Sequence, residues 1–179
     1  MTEIHTARLL LRGWRDEDLD PLAALNADPE VMRYILDGSV RDRAQSAESL
    51  RRMTQDWQTH GFGLFAVEHR GTGTLLGWAG LAVPHFLPEV LPAVEIGWRL
   101  SRSAWGHGYA TEAATAALRF AFDERELPRI ISIRHRENTR SARVMEKLGL
   151  HHEFDTVVPL HDQPVAVHAA LNPHAPPPP

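Results

Sequence analysis

The residues best placed to do chemistry run from Trp105 through Gly106, His107, Gly108, Tyr109, Ala110, Thr111 and Glu112 to Ala113. Two glycines there let backbone N–H groups approach a bulky ligand without side chains in the way. A helix-forming run follows, and the start of a helix carries unpaired N–H groups and a partial positive charge. Together they make an anion site suited to a pyrophosphate, with oriented amides rather than a metal ion supplying the positive potential. Other readings compete. The segment looks like G-x-G-x-x-G, but Thr111 stands at the sixth position and the stretch lies mid-chain, outside the first βαβ unit of a dinucleotide fold. The GK[ST] of a phosphate-binding P-loop is absent. The plainest alternative is a glycine-rich turn that only joins a strand to a helix.

The elements that must hold this segment follow from the hydrophobic pattern. Residues 7–14 read as a first strand, and Asp16 or Asp18 caps a helix through Leu25. Pro29 opens a second helical piece, 30–35. Residues 47–60 have helical spacing, with Leu50, Met53 and Trp57 on one face and Gly61 as the stop. Residues 62–70 and 74–83 form a hairpin around Gly71–Gly73. Residues 84–92 carry three prolines and read as a loop. Residues 93–101 are a strand, and 110–124 a helix whose apolar face includes Ala114, Ala117, Leu118, Ala121 and Phe122. A buried-type strand, 129–136, precedes a helix over 139–148 closed by Gly149. Two strands, 151–160 and 164–171, end the fold. Strands joined by hairpins, followed by two strand–helix units, predict a single α/β (α+β mixed) domain over 1–172: a mixed, mostly antiparallel sheet with helices on both faces. The proline-rich end, 173–179, is expected to be a disordered tail.

Composition narrows the function. The 179 residues suit one domain, and 43% hydrophobic with 23% charged residues is ordinary for a soluble globular chain. No apolar run is long enough to span a membrane, and no secretory signal is visible, so a cytoplasmic location is expected. With no cysteine there is no disulfide, thiolate zinc site or cysteine nucleophile. Eleven histidines are scattered without metal-ligand spacing, so no metal is expected. A net charge of −4 argues against nucleic acid as a partner.

Taken whole, residues 94–118 resemble the acyl-CoA loop and preceding strand of the GCN5-related N-acetyltransferases (GNAT), whose pattern (Q/R)-x-x-G-x-(G/A) falls on Trp105–Ala110. Tryptophan at the first position departs from that pattern. It agrees with the ribosomal-protein N-terminal acetyltransferase (RimJ/RimL-like) branch, whose loop reads W-G-x-G-Y-A-T-E-A. Residues 6–12 and 26–32 resemble that branch's first strand and helices, and 138–149 its N-x-x-S-x-x-x-x-x-K-x-G helix. The resemblance covers residues 6 to 170. It implies an acyl-CoA N-acyltransferase fold with a sheet splayed at its middle, acetyl-CoA as co-substrate, and an amine acceptor. That acceptor is an N-terminal α-amine by preference or a small-molecule amine, attacking directly in a ternary complex. Monomer and homodimer both remain open. A non-catalytic acyl-CoA-binding module is the alternative.

Acetyl transfer needs a held cofactor, a neutral amine, donors for the oxyanion and a proton for the departing thiolate. The backbone of Trp105, Gly106, His107, Gly108, Tyr109 and Ala110, with Thr111, is assigned to the pyrophosphate. The resemblance places Trp98, Arg99 and Leu100 along the pantetheine arm, with amides that polarise the thioester carbonyl. Glu95, an isolated carboxylate on an apolar strand, is the candidate general base; the alternative is that it faces solvent or pairs with an arginine. Asn138 is a good N-cap for Ser141. The resemblance adds contact of Asn138 with pantetheine and places Ser141 near the thioester sulfur, as a hydrogen-bond donor or water relay.

Overall fold

Alternating apolar residues make the strands, and hairpins join most of them. The computed structural model describes residues 2–175; positions 176–179 of the expected tail lie outside the described residues. The strands are β1 (Ile4–His5), β2 (Leu9–Arg12), β3 (Leu64–His69), β4 (Thr74–Ala82), β5 (Val94–Leu100), β6 (Arg129–His135), β7 (His151–Val158) and β8 (Gln163–Leu171). They form one sheet in the order β1-β2-β3-β4-β5-β6-β8-β7. Every neighbouring pair is antiparallel except β5 and β6, which are parallel. The helices are α1 (Leu19–Asn26), α2 (Pro29–Met32), α3 (Arg43–His60), α4 (Tyr109–Arg119) and α5 (Thr139–Lys147).

One face of the sheet packs on α4. Ala113, Ala114 and Ala117 are fully buried, and their small side chains bring the helix axis close to Ala79, Leu81, Ile96 and Leu100. Trp57, at the end of α3, and Phe120, just after α4, close around Phe65, with ring centroids 4.6 and 5.5 Å from it. The other face receives α1, on which α3 rests. A buried ion network pins that side: Arg12 donates to both Asp18 oxygens at 2.7 and 2.8 Å and to Glu68 at 2.7 Å. Among the described residues no helix is long and apolar enough to cross a membrane.

Several boundaries differ from the sequence expectation. The two-residue β1 is an addition, pairing only Ile4 with Leu11 and His5 with Leu10. The second helical piece is a four-residue turn, Pro29–Met32, because the chain reverses at Leu36 and Gly38, both with positive φ. Helix α3 starts at Arg43, four residues before the expected Ala47. Asp42 and Gln45 form a reciprocal capping box there. Helix α4 ends at Arg119 and passes into a π turn, Phe120–Glu124, closed by the Arg125 amide on the Phe120 carbonyl. The widened turn accompanies the burial of Phe120 in the aromatic cluster.

Candidate active site

The site begins where the sheet opens. Strands β5 and β6 pair only at Val94–Ile130 and Glu95–Ile131. Beyond that, residues 96–100 and 132–135 diverge into a cleft. At the fork the buried Ser132 hydroxyl donates to the Ile96 carbonyl at 2.8 Å, occupying an acceptor that a continuing ladder would use. The Ser101 amide donates to Leu76 of β4. Because backbone groups alternate sides along a strand, the amides of Trp98 and Leu100 face the cleft, whereas that of Arg99 faces β4. The Trp105 indole takes up the Leu100 carbonyl at 2.8 Å and so draws the glycine loop against the strand end.

The loop itself is bare. Gly106 and Gly108 have φ of 80° and 81°, which an L side chain rarely adopts, and a Cβ on Gly106 would meet nothing within 4 Å. Gly108 is the N-cap of α4 and offers no side-chain cap. The first backbone bond of the helix runs from Glu112 to Gly108. Among the described residues the amides of Gly106, His107, Gly108, Tyr109, Ala110 and Thr111 therefore donate to no protein group. Six unpartnered donors at a helix start are what an anionic diphosphate requires. The His107 side chain is exposed and stacks on Tyr109 at 5.6 Å.

A second helix start lies beside this loop. Arg140, in the first turn of α5, places its guanidinium 4.4 Å over the Trp105 ring. Asn138 caps α5 by accepting from the Ser141 amide at 3.1 Å, as its residue type predicts. The half-buried Ser141 hydroxyl bonds no protein group among the described residues. Glu95 turns its carboxylate along the cleft, where the Ile133 amide donates to it at 3.3 Å. Among the described residues it pairs with no arginine, and it is half-buried rather than open to solvent. Burial pushes its pKa up to about 8, partly opposed by the Ile133 bond.

In the sequence Glu112 stands only as part of the glycine-rich segment and Arg8 only within residues 6–12, with no role given to either. Arg8 stacks on Tyr109 at 4.5 Å, donates to the His107 carbonyl at 2.9 Å and pairs with Glu112 at 2.6 Å. Glu112 also accepts from the Thr6 hydroxyl and the Arg8 amide. Burial raises the Glu112 pKa, but these bonds outweigh it and leave it below the usual value. The glycine loop is thus braced from outside. Asn26, noted only as part of a resembling segment, is buried and accepts from Arg99 at 2.9 Å.

An open edge on a central strand, faced by two helix starts and a half-buried carboxylate, defines an enzyme class that holds an acyl thioester and offers it to a nucleophile. Residues 8–151 match the acetyltransferase (GNAT) domain, and the chain belongs to that family. It is an acetyl-CoA-dependent N-acetyltransferase. The chain is 33% identical over 168 residues to the uncharacterized protein YkkB of Bacillus subtilis, covering 93% of this chain and 94% of that one. It is 31% identical over 150 residues to the uncharacterized N-acetyltransferase YnaD of the same organism, covering 84% and 83%. Among solved structures, a GNAT-family acetyltransferase from Bacillus anthracis superposes with a TM-score of 0.80 at 27% identity, over 96% of this chain and 99% of that one.

Proposed function

We propose that residues 1–172 transfer the acetyl group of acetyl-CoA to a primary amine, an N-terminal α-amine by preference or a small-molecule amine, by direct attack in a ternary complex. The observation that carries this is the run of six unpartnered amides from Gly106 to Thr111, set beside the open edge of β5. In this reading those amides hold the diphosphate and the first turn of α5 approaches the pantetheine arm. When bound, acetyl-CoA supplies an activated acyl group. One of the cleft-facing β5 amides, that of Trp98 or of Leu100, donates to its carbonyl oxygen. Glu95 takes a proton from the incoming ammonium, directly or through a water, leaving the nitrogen lone pair free to form the new C–N bond. As the C–S bond breaks, the Ser141 hydroxyl donates to the departing sulfur.

The fold is shared by neighbours named for both acceptor classes. One is a ribosomal L7/L12 α-N-protein acetyltransferase in complex with CoA, at 14% identity. The other is a Vibrio cholerae spermidine N-acetyltransferase in complex with CoA and spermine, at 20%. At such identities the likeness carries the fold alone; the preference for an α-amine rests on the W-G-x-G-Y-A-T-E-A loop.

Calorimetry with acetyl-CoA tests the loop. Gly108→Glu, which puts a carboxylate and a strained φ at the diphosphate, is expected to abolish binding; unchanged affinity would refute the assignment. CoA release is then followed with peptides and small amines. Tight cofactor binding with no release for any acceptor would favour a non-catalytic acyl-CoA module.

A further inference from the structure

The Arg99 backbone lies on the strand expected along the pantetheine arm, with its amide facing β4, but its side chain takes no part in the chemistry above; it lies on the same strand face as Glu95. Its guanidinium stacks over Trp78, with 5.0 Å to the ring centroid. Nη1 donates to Asn26, and Asn26 is itself held by the buried Ser46 hydroxyl at 3.1 Å. The position of this cation is therefore built, not incidental. Its charge, however, is uncompensated. Among the described residues Arg99 makes no ion pair, its buried Nε has no acceptor, and its Nη2 bonds nothing.

The surroundings add positive charge instead of cancelling it. Arg41 is close enough to Arg99 to disfavour its protonation, and burial works in the same direction. Arg41 donates to Ser49 but also makes no ion pair among the described residues. Carboxylates do occur along the neighbouring groove of about 530 Å³, but among the described residues neither forms an ion pair with Arg41 or Arg99: Asp37 accepts from the Ser39 hydroxyl, and Glu48 pairs with Arg51. Holding a half-buried arginine fixed and unpaired beside a second cation is costly unless an anion arrives with the ligand.

The spacing says where that anion sits. Glu95 pairs with Ile131, and its carboxylate reaches forward to the Ile133 amide, so it ends level with Gly97. Arg99 lies two residues further on, about 7 Å along the strand at ~3.3 Å per residue. Gly97, between them, carries no side chain, and the Trp78 ring lies over it, 3.5 Å from where a Cβ would stand, so the floor between the two is the indole. An acceptor with its nitrogen at Glu95 that extends along β5 runs toward the residue that carries this guanidinium. We infer that the acceptor carries a carboxylate close to its reacting amine, and that Arg99, placed by Asn26 and Trp78, receives it. This rests on the transfer reading proposed above and narrows its substrate class. It disfavours polyamines, whose extra charges would meet Arg99 and Arg41.

The test uses the full chain with two matched acceptor pairs. Phenylalanine against phenylalaninamide places the carboxylate on a free amino acid. Asp-Ala-amide against Asn-Ala-amide places it on the side chain of an N-terminus. Spermidine is the cationic comparator. We expect kcat/KM at least tenfold higher for the acid member of one pair. Arg99→Gln should shrink that preference to below threefold, chiefly through KM, while acetyl-CoA affinity holds; Arg99→Lys should retain part of it. Equal rates within both pairs, faster turnover of spermidine, or an equal loss for acid and amide in Arg99→Gln would each overturn the inference. Calorimetric titration of the CoA-loaded protein with the same pairs gives a readout independent of turnover. If nothing is acetylated although acetyl-CoA binds, the transfer reading fails, and the titration still decides the carboxylate seat: tighter binding of an acid than of its amide supports it, and equal binding ends it.

Discussion

At Glu95 the folded state opposes the charge that proton abstraction needs. The carboxyl pKa is raised to about 8 by burial, against about 4.3 for an unfolded glutamate. Between those values the folded chain keeps a proton that the unfolded chain releases. The stabilisation is therefore full below pH ~4 and lost as pH rises through about 8. In the proposed mechanism activity runs the other way, since only the deprotonated carboxylate accepts a proton. We expect kcat/KM to rise with pH through an apparent pKa near 8. In Glu95→Gln that limb should vanish and kcat should fall about 100-fold with acetyl-CoA affinity preserved. Urea unfolding at pH 8 should find Glu95→Gln more stable than the parent by about 1–3 kcal/mol. Asn138→Ala should cost about 1 kcal/mol through the lost cap, whereas Ser141→Ala should leave stability alone and lower kcat about tenfold. The cap was legible because a local side-chain-to-amide bond depends only on residue type and a three-residue spacing. Arg99 was not. A sequence shows that an arginine sits on a strand, but not that α1 offers it an amide and no carboxylate.

The bond from Arg8 to Glu112 joins the start of β2 to the first turn of α4, with the glycine loop between them in space. It holds the His107 carbonyl outward and so aims the neighbouring amides. Arg8→Ala and Glu112→Gln are each expected to raise the Kd for acetyl-CoA three- to tenfold, roughly the effect of ~1 kcal/mol. The double variant should be little worse than either, because both remove one brace. Independent, additive losses in titration would show that the two residues act separately. At this scale the glycine turn and the helix after it were readable, since bare amides need glycine and the amphipathic run needs a start. The brace was not, because its partners lie 104 residues apart. The early start of α3 was missed for a local reason: the Asp42–Gln45 capping box precedes the apolar stripe that defined the helix.

For the whole molecule, cofactor binding and folding are linked. At a hundredfold excess over Kd, acetyl-CoA should add about 2.7 kcal/mol of stability, raising Tm by roughly 5–10 °C for a chain of this size. Gly108→Glu should show no such shift while melting as one transition. A normal shift in that variant would place the diphosphate elsewhere. The architecture was legible in its order of hairpins and strand–helix units, and the splayed centre followed from the resemblance. The brevity of the parallel contact was not legible, because β5 and β6 carry residues suited to a full ladder and their separation is imposed by what lies at the fork.

That brevity has a consequence for how the molecule behaves without its ligand. Strands β1 to β5 form one plate and β6 to β8 another, riveted together across two residue positions and the Ser132 hydroxyl. In the proposed reading the pantetheine arm serves as the missing stave between them. Deuterium uptake at Trp98 and Leu100 should slow sharply when CoA is added. Ser132→Ala should let the two plates exchange faster in its absence.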